Sequence, residues 1–233
     1  MGKIWRWVFF YALTIGITLL GAFAGSRCVT VMAHREPPER KYCVVIDPGH
    51  GGEDGGAVSA SGLPESGYNL DISIRLQDLM HLLGYGTKLI RREDVSVYTE
   101  GKSLAEKKRS DLKTRVRLVE ETDGAVLLSI HQNHFPDPQY RGAQVFYAAT
   151  EGSEALAGEI QSRLNASLCA GSRRQIKKAA GVYLMEHIRC PGVLIECGFL
   201  SNRQEEEKLR NPEYQKQLGA VIAVAVSKFL SNT

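Results

Sequence analysis

The chain has 233 residues and a mass of 25.7 kDa, with 43% hydrophobic and 24% charged side chains. That is the balance of a globular protein with one sizeable core, not of a disordered, collagenous or coiled-coil chain. Lysine and arginine number 29 against 26 aspartate and glutamate, but residues 1–42 hold six basic and two acidic side chains, so the remainder is nearly neutral. The broad basic charge of a nucleic-acid-binding domain is therefore excluded.

Lys3 and Arg6 precede residues 8–25, a run of eighteen positions without a charge. As a helix rising about 1.5 Å per residue, this run spans roughly 27 Å, close to the thickness of a bilayer core. Basic residues ahead of such a run favour an N-terminus left in the cytoplasm and a body outside it. Residues 1–25 are thus expected to act as a signal-anchor or, because Ala22-Phe23-Ala24 has the small-x-small spacing of a cleavage site, as a signal peptide. Cys28 follows Arg27 and not the small residue of a lipoprotein signal, so a plain cysteine is expected there. Residues 26–41 contain Arg35-Glu36-Pro37-Pro38-Glu39-Arg40 and read as a linker, leaving residues 42–233 as one folded domain.

Within that domain, short apolar runs rich in β-branched residues fall at 43–46, 86–90, 125–130, 143–148, 181–185 and 193–196 and read as buried strands. Between them lie helical patterns. Ile72, Leu76, Leu79 and Leu83 recur at helical spacing, residues 111–122 begin with Asp111 near a cap, and residues 153–168 form a further candidate. The last helix is the clearest: Asn211-Pro212 supplies a cap and a first-turn proline, and Leu218, Val221, Ile222, Ala225, Val226 and Phe229 make one apolar stripe. The alternation predicts an α/β fold with a central, largely parallel (mixed) sheet of about six strands and helices on both faces.

Ligands in open α/β sheets bind beyond the carboxyl ends of the strands, and three predicted strands end in reactive residues. The first runs into Asp47-Pro48-Gly49-His50-Gly51-Gly52, the second delivers His131, and the third ends at Glu196 before Cys197-Gly198-Phe199-Leu200-Ser201-Asn202. Two histidines and a carboxylate are the ligand set of a catalytic zinc with one position left open. Glu65, after the glycine-rich loop, is the favoured carboxylate; Glu53 and Asp54 lie nearer His50 but are expected to face solvent or serve the turn. A thiol mechanism using Cys197 with His131 is the rival. The five cysteines, Cys28, Cys43, Cys169, Cys190 and Cys197, show no CxxC spacing.

These motifs resemble the zinc-dependent N-acetylmuramoyl-L-alanine amidases of the type 3 class. The resemblance is carried by residues 47–52, by Glu65 with Asn69-Leu70, by Ser129-Ile130-His131 with Asn133, and by Glu196 with residues 198–202. Arg91 with Asp94, Asp111-Leu112 with Arg115, and Arg141-Gly142 join them in order. It implies that His50, Glu65 and His131 hold Zn2+ and that Glu196 is the catalytic acid/base. It further implies a peptidoglycan substrate, cut between N-acetylmuramic acid and L-alanine. The short layout is most similar to the germination-specific branch, which implies stem-peptide removal in the spore cortex and a partner deacetylase for muramic-δ-lactam formation; an accessory protein is a further candidate partner, and the sequence leaves open whether one must complete the zinc site. The long metal-covering helical insertion of some relatives is not visible between Ala148 and Gly181, and His134 is expected to have a surface or packing role. Arg173-Arg174 and Lys177-Lys178 read as a basic strip facing acidic peptides or simply as a solvated face. The alternative to catalysis is a domain that binds peptidoglycan without cutting it.

Overall fold

Val44 and Ile46 point to one side of the first strand and Val45 to the other, and all three are fully buried, so this strand needs cover on both faces. The computed structural model describes residues 41–233, together with Gly2 and Trp5. The apolar run at 8–25 and Cys28 lie outside the described residues, among which no helix is long and apolar enough to cross a membrane.

In chain order the elements are β1 (Cys43–Pro48), α1 (Glu65–Leu82), β2 (Gly86–Leu89), α2 (Leu104–Glu120), β3 (Ala125–Asn133), β4 (Gln144–Tyr147), α3 (Ser153–Ser167), β5 (Lys177–Lys178), α4 (Tyr183–His187), β6 (Gly192–Phe199), α5 (Arg203–Arg210) and α6 (Pro212–Leu230). The six strands form one sheet in the order β2-β1-β3-β6-β4-β5. β2, β1, β3 and β6 run parallel, and β4 is antiparallel to β6. The expected mixed, largely parallel sheet is therefore present. One face packs Val44, Ile46, Val126, Leu128, Val193 and Ile195 beneath α1, α3 and α6. The other packs Val45, Leu127 and Leu194 beneath Val119 of α2 and Leu184 and Met185 of α4.

The predicted strand at 181–185 is corrected. Gly181 has a φ of 71°, which ends the extended run, and α4 follows with Leu184, Met185 and Ile188 buried on one helical face. The sixth strand is instead Lys177–Lys178, exposed at the sheet edge, where lysines discourage pairing with another chain. α2 begins at Leu104, seven residues before the expected Asp111. Its true cap is Ser103, whose side chain accepts from Glu106 N while Glu106 reaches back to the Ser103 N–H. α5, which apolar periodicity did not reveal in its charged sequence, is nucleated by Asn202 accepting from Gln204 N and Glu205 N.

Candidate metal centre

β1 ends at Pro48, the chain turns at Gly49, and His50 follows with a φ of 61°, the one positive value at a non-glycine position among the described residues. Such a conformation costs on the order of 1–3 kcal/mol and persists only where its surroundings enforce it. Two buried arginines do so here. Arg91 donates from Nε to Pro48 O at 2.9 Å and from Nη2 to Gly49 O at 2.9 Å and Ser66 O at 2.8 Å. Arg115 donates to Pro48 O at 2.9 Å and His50 O at 2.7 Å, and is itself anchored by Asp47 and by Asp111 Oδ2 at 2.6 Å. All three carbonyls of residues 48–50 thus accept from a guanidinium, which aims the His50 side chain outward. Arg91 and Arg115, two of the residues that carry the resemblance, thus serve this turn.

Glu65, 3% exposed, opens α1 and meets both histidines. Its Oε2 lies 3.3 Å from His50 Nε2 and its Oε1 3.0 Å from His131 Nδ1. Four further donor contacts fix the carboxylate and its neighbourhood. Ala57 N donates to Oε2 at 3.1 Å, and Gln132 N and Asn69 Nδ2 donate to Oε1 at 3.0 and 3.1 Å. Asn69, one helical turn on from Glu65, also donates to Gly49 O at 3.1 Å, tying the helix to the β1 turn. Burial alone would raise the carboxyl pKa, but His131 and His50 outweigh it and hold Glu65 far below the ordinary range. For His50, burial opposes protonation, and Glu65 and Asp54 overcome it.

The structure therefore brings His50, Glu65 and His131 together, with one donor atom from each lying within 4.8 Å of the others. The His50 and His131 rings meet edge to face with centroids 5.0 Å apart. His134 is exposed and stands outside this group. Asp54 departs from its expected turn role: its Oδ2 lies 3.1 Å from His50 Nδ1 and 3.2 Å from Lys108 Nζ. A carboxylate thus stands behind the imidazole, the usual position of one next to a ligating histidine. Glu53 does face solvent, paired with Lys107 at 2.8 Å. The i,i+4 spacing of His50 and Asp54 was the available signal, but in a glycine-rich loop that spacing has no helical meaning.

Gly49 explains itself by what a side chain would strike. A Cβ built there would fall 2.2 Å from Cε1 of His131. Gly49→Ala is expected to displace that ring and lower metal affinity at least tenfold, at an overpacking cost of about 1–3 kcal/mol. Titration with a metal-sensitive dye, beside a thermal melt, checks it; unchanged affinity would show that the ring does not hold metal.

Glu196 sits on β6 in register with His131 on β3. Its Oε2 is buried and has no hydrogen-bond partner. Burial pushes its pKa up to about 7, with Glu65 adding to the rise and His131 opposing it. Cys197 is the next residue of the strand and is buried with Sγ 3.8 Å from Ile195 O. Burial raises its thiol pKa far out of the reactive range, which disfavours the rival thiol mechanism.

Residues 44–228 match the family described as N-acetylmuramoyl-L-alanine amidase. This chain belongs to that family. The amidase is 35% identical over 190 residues to the germination-specific N-acetylmuramoyl-L-alanine amidase of Bacillus subtilis (strain 168), covering 81% of this chain and 79% of that one. Among solved structures it is similar to the CwlD amidase from Clostridioides difficile in complex with the GerS lipoprotein. The TM-score there is 0.79 at 33% identity, over 82% of this chain and all of that one. An N-acetylmuramoyl-L-alanine amidase from Clostridium difficile 630 follows, with a TM-score of 0.72 and 30% identity over 83% and 98% of the two chains. The amidase fold and its metal-dependent hydrolase class thus rest on sequence and structure together.

Proposed function

We propose that this amidase hydrolyses the bond between N-acetylmuramic acid and the L-alanine of peptidoglycan stem peptides, with His50, Glu65 and His131 holding Zn2+ and Glu196 as the catalytic acid/base. The observation that carries the reading is the closely spaced His-Glu-His group with, on the adjoining strand, a carboxylate whose Oε2 is buried without a hydrogen-bond partner. The donor set fits zinc, which takes imidazole and carboxylate ligands in catalytic sites with three protein donors. An unpartnered buried carboxylate oxygen is costly to maintain, and a proton-transfer role accounts for it.

Zinc bound there supplies Lewis acidity, polarising an amide carbonyl and acidifying water. The chain's own residues do the rest. Glu65 is locked by three N–H donors and Asp54 backs His50, so the donor set is organised in advance. Glu196 accepts a proton from the attacking water and delivers it to the departing alanine nitrogen as the C–N bond breaks, leaving a lactyl carboxylate and a free amine.

By its similarity to the germination-specific enzyme, the amidase acts in spore-cortex maturation, ahead of a deacetylase that consumes its product. A lipoprotein of the kind bound by the C. difficile neighbour is a candidate accessory partner. Residues 1–25 serve as signal-anchor or signal peptide, residues 26–41 as a linker, and residues 42–233 act outside the cytoplasm.

The test is metal analysis and product analysis of the purified protein on intact peptidoglycan. Near-stoichiometric zinc and peptides with N-terminal L-alanine are expected. Dialysis against a chelator is expected to abolish release, and added zinc to restore it. At a hundredfold excess over Kd, zinc should also stabilise the fold by about 2.7 kcal/mol, read as a rise in melting temperature. A folded, zinc-loaded protein that releases no peptide would favour the binding-only alternative.

A further inference from the structure

β4 runs antiparallel to β6, so the chain entering β4 lies at the same end of the sheet as the end of β6. β5 runs parallel to β4, and the chain entering it arrives at that end too. The topology thereby sets Arg141, Arg173 and Arg174 beside Phe199, on the flank of Glu196 away from His50. There they line a groove of about 580 Å³ together with Tyr140, Lys208 and Glu205, a volume within the range of small-ligand sites.

The groove is joined to the catalytic centre through one residue. Gln144 stands opposite Glu196 in the antiparallel register, so the two side chains share a face of the sheet. Arg174 donates to Gln144 Oε1 at 2.7 Å and to Arg141 O at 2.8 Å, and its guanidinium lies over the Phe199 ring at 4.7 Å. That leaves Arg174 rigid and close to the reacting end. Phe135, Tyr140 and Phe199 continue the wall as a run of ring contacts, the first two 45% and 46% exposed.

The charge is one-sided. Four cations line the groove against one carboxylate, and Glu205 Oε2 already accepts from Gly142 N at 2.7 Å and Phe199 N at 3.2 Å. Arg141, Arg173 and Lys208 make no side-chain hydrogen bond or ion pair among the described residues. On the opposite flank, beside His50, the lysines are neutralised: Lys107 pairs with Glu53 and Lys108 with Asp54. An acidic ligand crossing the centre is attracted to one side alone. The basic strip of the sequence thus divides: Arg173 and Arg174 face this groove, while Lys177 and Lys178 form the exposed edge strand.

We propose that this groove is the subsite for the departing peptide, where Arg141, Arg173 and Lys208 bind its free carboxylates and make the enzyme selective for acidic stem peptides. The inference rests on the amidase reading above. Arg174, held by Gln144, positions the groove wall, and the three unpaired cations determine specificity.

The test compares two muramoyl-peptides that differ only in free side-chain and terminal carboxylates against their carboxamides. The wild-type enzyme is expected to favour the acid form at least tenfold in kcat/KM, chiefly through KM, the scale of one charge-assisted contact. That preference should shrink as salt is raised from 0.05 to 0.5 M. In the R141Q/R173Q double variant, which keeps Lys208, the preference is expected to shrink at least threefold, through a loss of kcat/KM on the acid substrate. Equal kcat/KM for both substrates in the wild type, or equal losses on both in the variant, would overturn the subsite and leave the amidase reading intact. If neither substrate is cut, the amidase reading falls, and calorimetric titration with the two L-alanine-ended peptides decides the groove. Tighter binding of the acid form, weakened in the double variant, supports it; no difference rejects it.

Discussion

Glu196→Gln is expected to lower kcat by about 10² to 10⁴, the usual worth of a positioned acid/base, without reducing bound zinc. The substitution keeps shape and removes only the capacity to carry a proton. Because Glu196 Oε2 is buried without a partner, the charged carboxylate costs stability in the folded state. The variant is therefore expected to melt higher, by the roughly 2–4 °C that about 1 kcal/mol is worth in a domain of this size. Opposite movements of activity and melting temperature mark a catalytic group. A parallel fall in both would mean that Glu196 holds the fold and that the acid/base lies elsewhere.

Arg115→Ala is expected to destabilise the domain by about 3–5 kcal/mol, the cost of stranding one member of a buried ion pair. Asp47 is 1% and Arg115 3% exposed, and the substitution also leaves Pro48 O and His50 O without that donor. Urea titration of Arg115→Ala, Asp47→Asn and the double variant measures it; the double should cost clearly less than the sum. The pH dependence has a definite sign. Burial would raise the Asp47 pKa, but the Arg115 charge and the Ser129 hydroxyl, at 2.7 Å, hold it below the ordinary carboxylate range. Its contribution is thus fully present above the unfolded pKa of about 4 and is lost as pH falls through the lower folded value. In Arg115→Ala burial acts on Asp47 with its chief opponent gone, so protonation relieves the variant. The stability gap to wild type is expected to narrow between pH 7 and pH 4. A gap independent of pH would show that the loss is one of packing alone.

Periodicity in the sequence was enough for the layered α/β fold, because burial on both faces of a central strand leaves a continuous apolar run and a helix covering it leaves a stripe. β1, β3, β6, α1 and α6 were legible for that reason. Gly181 to Met185 misled because a five-residue apolar segment has no period long enough to separate strand from helix, and the decision fell to how Leu184, Met185 and Ile188 could reach the sheet. α5 was invisible because its sequence is nearly all charged, and only the Asn202 cap marked its start.

The site divides in the same way. His50, His131 and Glu196 could be singled out from sequence because each follows or ends an apolar strand, and parallel strands carry their carboxyl ends to one edge of the sheet. Glu65 was favoured over Glu53 and Asp54 by its place after the glycine-rich loop, and motif resemblance strengthened that choice. What the amino-acid order by itself determined was the kind of layer, the strands that bear the reactive residues and the chemistry those residues can perform. Only the tertiary structure decided that Asp54 backs His50, that two arginines from distant segments hold the strained turn, and that the cations gather on the β4 and β5 flank of Glu196. Those contacts join residues 4 to 68 positions apart or depend on the direction of β4. They are set by packing and strand order, which leave no periodic trace in the sequence.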